Sequence, residues 1–177
     1  MEQIPRVVAS QEIYKGRIFR VRVDTVDDAG RERKLEIVEH PGSFAIAALT
    51  PDERLVLVGQ YRHAAGQTLW EIPAGTAEPG EACEDGARRE LREETGYTAG
   101  RLEPICTAYP TPGYSSERVH VYLAEDLRSG NAQPEEDESI EVREVTLQEA
   151  SSMQAGGLIV DMKTILALLW LKGRRHK

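Results

Sequence analysis

The segment 82–95 limits what this chain can fold into more than any other. It lacks proline, is dense in Ala, Glu, Arg and Leu, and is followed by Gly96. Such residues lose little side-chain freedom in a helix, and glycine just past the last turn is a common stop. One helix is therefore predicted over these residues, despite Gly86. Residues four apart on a helix are neighbours, roughly 6 Å apart along the axis. Glu90 and Glu94 thus project side by side, with Glu93 about a sixth of a turn from Glu90. Three carboxylates on one face repel one another, and Arg89, placed to pair with Glu93 one turn on, offsets only part of that repulsion.

Two readings of this face compete. A solvated charged surface is what most Glu- and Arg-rich helices present. Against it, Glu90 and Glu94 flank a stripe of Cys83, Ala87 and Leu91 that is expected to pack inward, while Asp85 and Arg92 fall on the opposite side. Carboxylates at the rim of a buried face need partners, and hard divalent cations take oxygen ligands of this kind. From the helix alone, neither reading prevails.

The flanking pattern sets the architecture. Phe44 to Leu49 is a continuous apolar run, as expected of a strand buried on both faces. Strands are predicted at 55–61, after a Pro51-Asp52 turn, and at 68–72, ended by Pro73-Ala74-Gly75; others follow at 102–109, 118–124 and 140–145. Helices are predicted at 147–154 and at 162–172, the latter with Asp161 as N-cap. Upstream, Ile18 to Asp24 and Lys34 to Val38 alternate in strand fashion around an Asp28-Ala29-Gly30 turn. Strands interleaved with helices predict an α/β chain with mixed sheets. Pro41-Gly42 marks the expected boundary between a small β-rich N-terminal subdomain, 1–42, and the main domain, 43–177.

At 177 residues, 40% hydrophobic and 29% charged, the chain is expected to build its core without disulfides. A net charge of −8 argues against a broad nucleic-acid surface, which needs clustered Lys and Arg. The basic end from Lys172 to Lys177 reads as a solvated terminus. Cys83 and Cys106 form no CxxC pair, as expected of isolated thiols in a reducing compartment. Met1 to Ser10 lacks the pattern of a signal peptide, and Ile165 to Leu171 is too short to span a bilayer. The cytoplasm is the expected location.

The stretch before the helix separates the two readings. Gly75 and Glu81 precede Arg89-Glu90-Leu91, then Glu93-Glu94, then Gly96. In this spacing the chain resembles the Nudix family at every fixed position of its signature box over the 23 residues from Gly75 to Tyr97. Tyr97 alone departs from the pattern, an aromatic in an aliphatic slot. The resemblance implies an α/β/α sandwich and a loop–helix–loop that holds Mg2+ or Mn2+ against a pyrophosphate. By position, it implies Glu90 and Glu94 as principal metal ligands, with Glu93 sharing the metal or acting in catalysis. The carbonyl of Ala74 is implied as a further ligand. Arg89 would orient the carboxylates, Gly75 would permit a tight turn, and Glu81 would support loop and helix. The chemistry is consistent with those roles: a diphosphate repels a nucleophile, so its charge must be neutralised before water attacks phosphorus.

Further stretches are similar to ADP-ribose pyrophosphatases within that family. They are Gln60-Tyr61-Arg62, Leu69 to Gly75, and Tyr109 to Glu117, with Pro112 lying 15 residues past Tyr97. The substrate implied is a nucleoside-diphosphate sugar, ADP-ribose above all, with another sugar nucleotide such as GDP-mannose as the rival. A non-catalytic nucleotide-binding module is a second rival, although such modules lose the acidic positions retained here. Arg62 is a candidate phosphate contact, its fork suiting phosphate oxygens, or else one half of a surface ion pair. Trp70, Tyr61 and Tyr114 are candidates to stack on a base, each of them alternatively an ordinary strand-face residue. The resemblance also implies a homodimer in which Phe19, in the N-terminal strands, helps to enclose the base. Of the acidic run Gln133 to Ile140, Glu136 and Glu138 match the position of a loop glutamate that acts as general base or metal ligand.

Overall fold

The computed structural model describes residues 4–132 and 140–174. Three antiparallel strands come first, β1 (Arg6–Lys15), β2 (Arg20–Asp28) and β3 (Arg31–Glu39), forming a sheet of their own. Then follow β4 (Ser43–Ala48), β5 (Leu55–Arg62), β6 (Gln67–Glu71), β7 (Ala74–Thr76) and helix α1 (Cys83–Thr95). The rest is β8 (Thr98–Ala108), β9 (Val119–Arg128), β10 (Ile140–Val145), α2 (Leu147–Ala155) and α3 (Met162–Arg174). One sheet runs β7-β4-β9-β8, with β4 and β9 parallel and the other pairs antiparallel; a second, antiparallel throughout, runs β10-β5-β6.

The apolar run in β4 explains the layering. Alternate strand residues point to opposite faces. Phe44, Ile46 and Ala48 join Ala87 and Leu91 of α1 in one core, whereas Ala45 and Ala47 join Ala150 of α2 and Leu168 and Leu171 of α3 in the other. Both sides of the strand are therefore covered by helices, giving the α/β/α arrangement that the resemblance implies. Among the described residues no helix is long and apolar enough to cross a membrane.

Three local expectations need correction. Cys83 is exposed, and the inward face of α1 is instead Gly86, Ala87, Leu91 and Glu94. The cause is Phe44, whose ring occupies the space that a side chain on Gly86 would need, so the helix seats against β4 through its glycine. Second, Pro73 interrupts the chain only briefly: Ala74 to Thr76 pair with β4 as an extra edge strand. Third, the N-terminal sheet is larger than the alternation suggested. β1 is exposed along its whole length, so it carries no in-out hydrophobic signal. That sheet touches the main body where Val38 donates to the Tyr114 carbonyl and accepts from Ser116.

Candidate active site

The edge strand β7 and helix α1 face each other across a gap without room for a side chain. A side chain on Gly75 would collide with the Glu90 carboxylate. One residue earlier, the Ala74 N–H donates to Glu94 Oε2 at 3.0 Å. Glu94 is only 4% exposed, so this bond satisfies part of a buried charge that would otherwise be costly. The turn and the helix are thus joined through backbone on one side and carboxylate on the other.

Arg89 organises the remaining acids. Its Nε and Nη2 donate to the two oxygens of Glu81 at 2.8 and 3.1 Å, and its Nη1 donates to Glu90 at 2.8 Å and Glu93 at 3.0 Å. A longer bond from Nη2 reaches the Thr76 carbonyl at 3.3 Å. One planar guanidinium thereby serves three carboxylates, a task for which lysine lacks the fork geometry. The hydrogen bond to Glu81, opposed by burial and aided by Glu90 and Glu93, holds Arg89 above its ordinary pKa. The same bond holds the Glu81 carboxyl below its ordinary value. Glu81 also accepts the Glu78 N–H, so it ties the loop to the helix.

Of these groups, Ala74, Gly75, Arg89, Glu90 and Glu93 form one wall of a cavity of about 650 Å³. Arg62 and Lys163 belong to the same cavity, as do Arg17, His40 and Glu117. Its volume falls in the range of small-molecule sites. Oxygen donors of Glu90, Glu93, Glu94 and Ala74 are the hard set that a divalent cation takes, and the absence of a side chain at Gly75 lets the Glu90 carboxylate lie against the turn that carries Ala74, so the residues fit such an ion. As the described side chains stand, no three His, Cys, Asp or Glu groups are gathered for a metal; Arg89 and the Ala74 N–H engage the carboxylates instead.

The other candidates are placed as follows. Arg62 is no surface pair: it grips the Glu71 carboxylate with Nε and Nη2 at 2.9 and 3.0 Å, and Glu71 is 2% exposed. That hydrogen bond, set against burial, raises the Arg62 pKa. Trp70 packs partly against the core, with the Arg143 guanidinium 4.5 Å from its ring centre, and is not part of the cavity wall. Phe19 is exposed next to Tyr14, two residues from the cavity residue Arg17. Pro112, Tyr61 and Tyr114 are exposed and also outside the wall. Glu136 and Glu138 lie outside the described residues.

Sequence reading did not single out Glu71, Lys163 or Glu117. The last two line the cavity; Glu71 lies behind it, and its position between Trp70 and Ile72 in a short strand was a usable signal for a buried, partnered carboxylate.

A NUDIX domain model matches residues 39–169. The chain is 40% identical over 170 residues to an ADP-ribose pyrophosphatase of Bacillus subtilis (strain 168), spanning 94% of this chain and 92% of that one. It is 36% identical, with the same coverage, to a methanol dehydrogenase activator of Bacillus methanolicus. Among solved structures, a crystal structure of an ADP compounds hydrolase superposes with a TM-score of 0.84 at 23% identity, covering 97% of this chain and 96% of that one. At that identity the superposition speaks for the fold. The domain match extends well beyond the box to both core-forming sheets, and on that match and the full-length relatives the chain belongs to the Nudix family of hydrolases.

Proposed function

We propose that this enzyme hydrolyses ADP-ribose at its pyrophosphate, giving AMP and ribose 5-phosphate, with Mg2+ or Mn2+ as the activating ion. The observation that carries the reading is the carboxylate cluster organised by Arg89 on one cavity wall, in the same cavity as the cation of Arg62. Similarity to an ADP-ribose pyrophosphatase over nearly the whole chain supports the choice of sugar.

Glu90, Glu94 and the Ala74 carbonyl, assisted by Glu93, would hold the ion, which supplies Lewis-acid charge to the diphosphate oxygens when bound. The chain's own residues then position the reaction. Arg62, locked by Glu71, directs its remaining N–H groups to phosphate oxygen, a charge-assisted contact. Arg89 holds the carboxylates of Glu90 and Glu93 in place before substrate arrives, so little reorganisation accompanies attack. Water oxygen forms the new bond to phosphorus, the bridging P–O bond breaks, and the water proton passes to a carboxylate. We assign that role to a glutamate of the site, Glu93 or one of Glu136 and Glu138. Phe19, Trp70, Pro112 and Tyr114 are proposed to contribute to recognition of the nucleoside and sugar.

The substrate assignment is tested by turnover of purified protein with Mg2+ across ADP-ribose, GDP-mannose and other sugar nucleotides. ADP-ribose is expected to give the highest kcat/KM; equal rates on all of them would reduce the claim to diphosphate hydrolysis.

We further propose that residues 1–42 act as a subdomain through which two copies of the chain associate, the main domain being 43–177. The supporting feature is the exposed β1, which presents Val7, Val8, Ile13 and Tyr14 to solvent alongside Phe19. Light scattering is expected to give twice the chain mass, and Ile13→Lys to shift the population towards monomer. A monodisperse monomer in the wild type would refute the proposal.

A further inference from the structure

Lys163 is the second residue of α3, where the positive end of the helix dipole disfavours a cation. It is nevertheless largely buried and belongs to the cavity wall. Its Nζ donates to Asp161 Oδ1 at 2.7 Å and to Glu71 Oε2 at 3.2 Å. An ammonium has three N–H groups, so these two bonds leave one on a side chain that faces the cavity.

The two acids that hold it are themselves fixed. Asp161 caps α3, accepting from the N–H and hydroxyl of Thr164 at 2.9 and 2.7 Å, and the Thr164 hydroxyl in turn accepts the Ile72 N–H at 2.8 Å. Glu71 already receives the fork of Arg62. Lys163 and Arg62 are therefore two cations bound to one buried carboxylate and presented to one cavity. Burial acts to lower the Lys163 pKa, but Asp161 and Glu71 outweigh it and leave it raised, so the charge persists at working pH.

We propose that Lys163 is a second cationic contact for the substrate diphosphate, set beside Arg62 by their shared partner Glu71. This rests on the diphosphate-hydrolase reading above. A cation required only to balance charge would not need the unfavourable end of a helix or a place in the cavity wall.

The test uses full-length protein and the non-hydrolysable methylene analogue of ADP-ribose. Lys163→Met is expected to raise the analogue Kd and the KM for ADP-ribose by on the order of tenfold to a hundredfold, the scale of one lost charge-assisted hydrogen bond. The change in kcat and in the Mg2+ requirement is expected to be smaller, and Lys163→Arg should recover most of the affinity. A folded Lys163→Met protein with wild-type Kd and KM would overturn the inference. Should that variant fail to fold, 15N-lysine NMR of the wild type decides: the Lys163 Nζ signal should move when the analogue binds, and an unmoved signal would overturn the inference equally. Wild type that neither cleaves ADP-ribose nor binds the analogue would instead defeat the proposed function itself, and binding of methylenediphosphonate would then test Lys163 without the nucleoside.

Discussion

Replacing Glu94 by glutamine is expected to lower kcat for ADP-ribose by about a hundredfold to a thousandfold, the scale of losing one preorganised electrostatic contact in a catalytic site. The carboxylate is buried against the turn that carries Ala74. Glutamine keeps the shape and one carbonyl-type oxygen, so the Ala74 N–H retains an acceptor and the fold is expected to survive. What disappears is a full negative charge where a divalent ion needs a hard oxygen ligand. Steady-state kinetics over a Mg2+ titration, with circular dichroism as the control for folding, measures the effect. Near-normal turnover in a folded Glu94→Gln protein would remove Glu94 from the ligand set.

Arg89→Met should damage stability as well as rate. Removing one partner of a fully buried ion pair typically costs about 3–5 kcal/mol, because the charge left behind is uncompensated, and this part-buried cluster is expected to lose a fraction of that. Here three carboxylates, Glu81, Glu90 and Glu93, lose the same donor. The effect depends on pH with a definite sign. In the native protein Glu81 is held below its ordinary pKa, chiefly by its hydrogen bonds from Arg89. The contribution is therefore complete above the ordinary value of 4.5 and is lost as pH falls through the depressed native value. Without Arg89 the clustered acids repel, and protonation relieves them. The stability gap between wild type and Arg89→Met is accordingly expected to hold from pH 7 down to about pH 4.5 and to narrow below it, towards about pH 3. Urea denaturation at pH 7, 4.5 and 3 measures it; a gap that is absent, or that stays constant over the whole range, would mean that Arg89 does not hold the cluster together.

The parts of the site that were legible in the sequence are those confined to one local element. Glu90, Glu93 and Glu94 share a helix with Arg89, so periodicity alone places them together, while the parts of Gly75 and Glu81 followed from the resemblance to the family box. The strand at Phe44 to Ala48 was equally plain, because burial on both faces requires an unbroken apolar run. Where sequence reading erred, a tertiary contact overrode the local pattern. Cys83 continued the apolar stripe of α1 in projection, yet the ring of Phe44 seats the helix at Gly86 instead. β1 was under-read because a strand exposed throughout has no alternation to detect.

The amino-acid sequence by itself determined the Nudix helix, its carboxylate pattern and the α/β order of elements, since each depends on contacts within a few residues or on the polarity of a single run. Only the tertiary structure decided how the cationic side of the cavity is built. Arg62, Glu71 and Lys163 come from β5, β6 and α3, and the Lys163–Glu71 pair spans 92 positions of chain. A residue type at such a distance carries no periodic signal. It becomes informative only after packing has brought a buried carboxylate within hydrogen-bonding reach of both cations, where the cost of burying its charge makes their company obligatory.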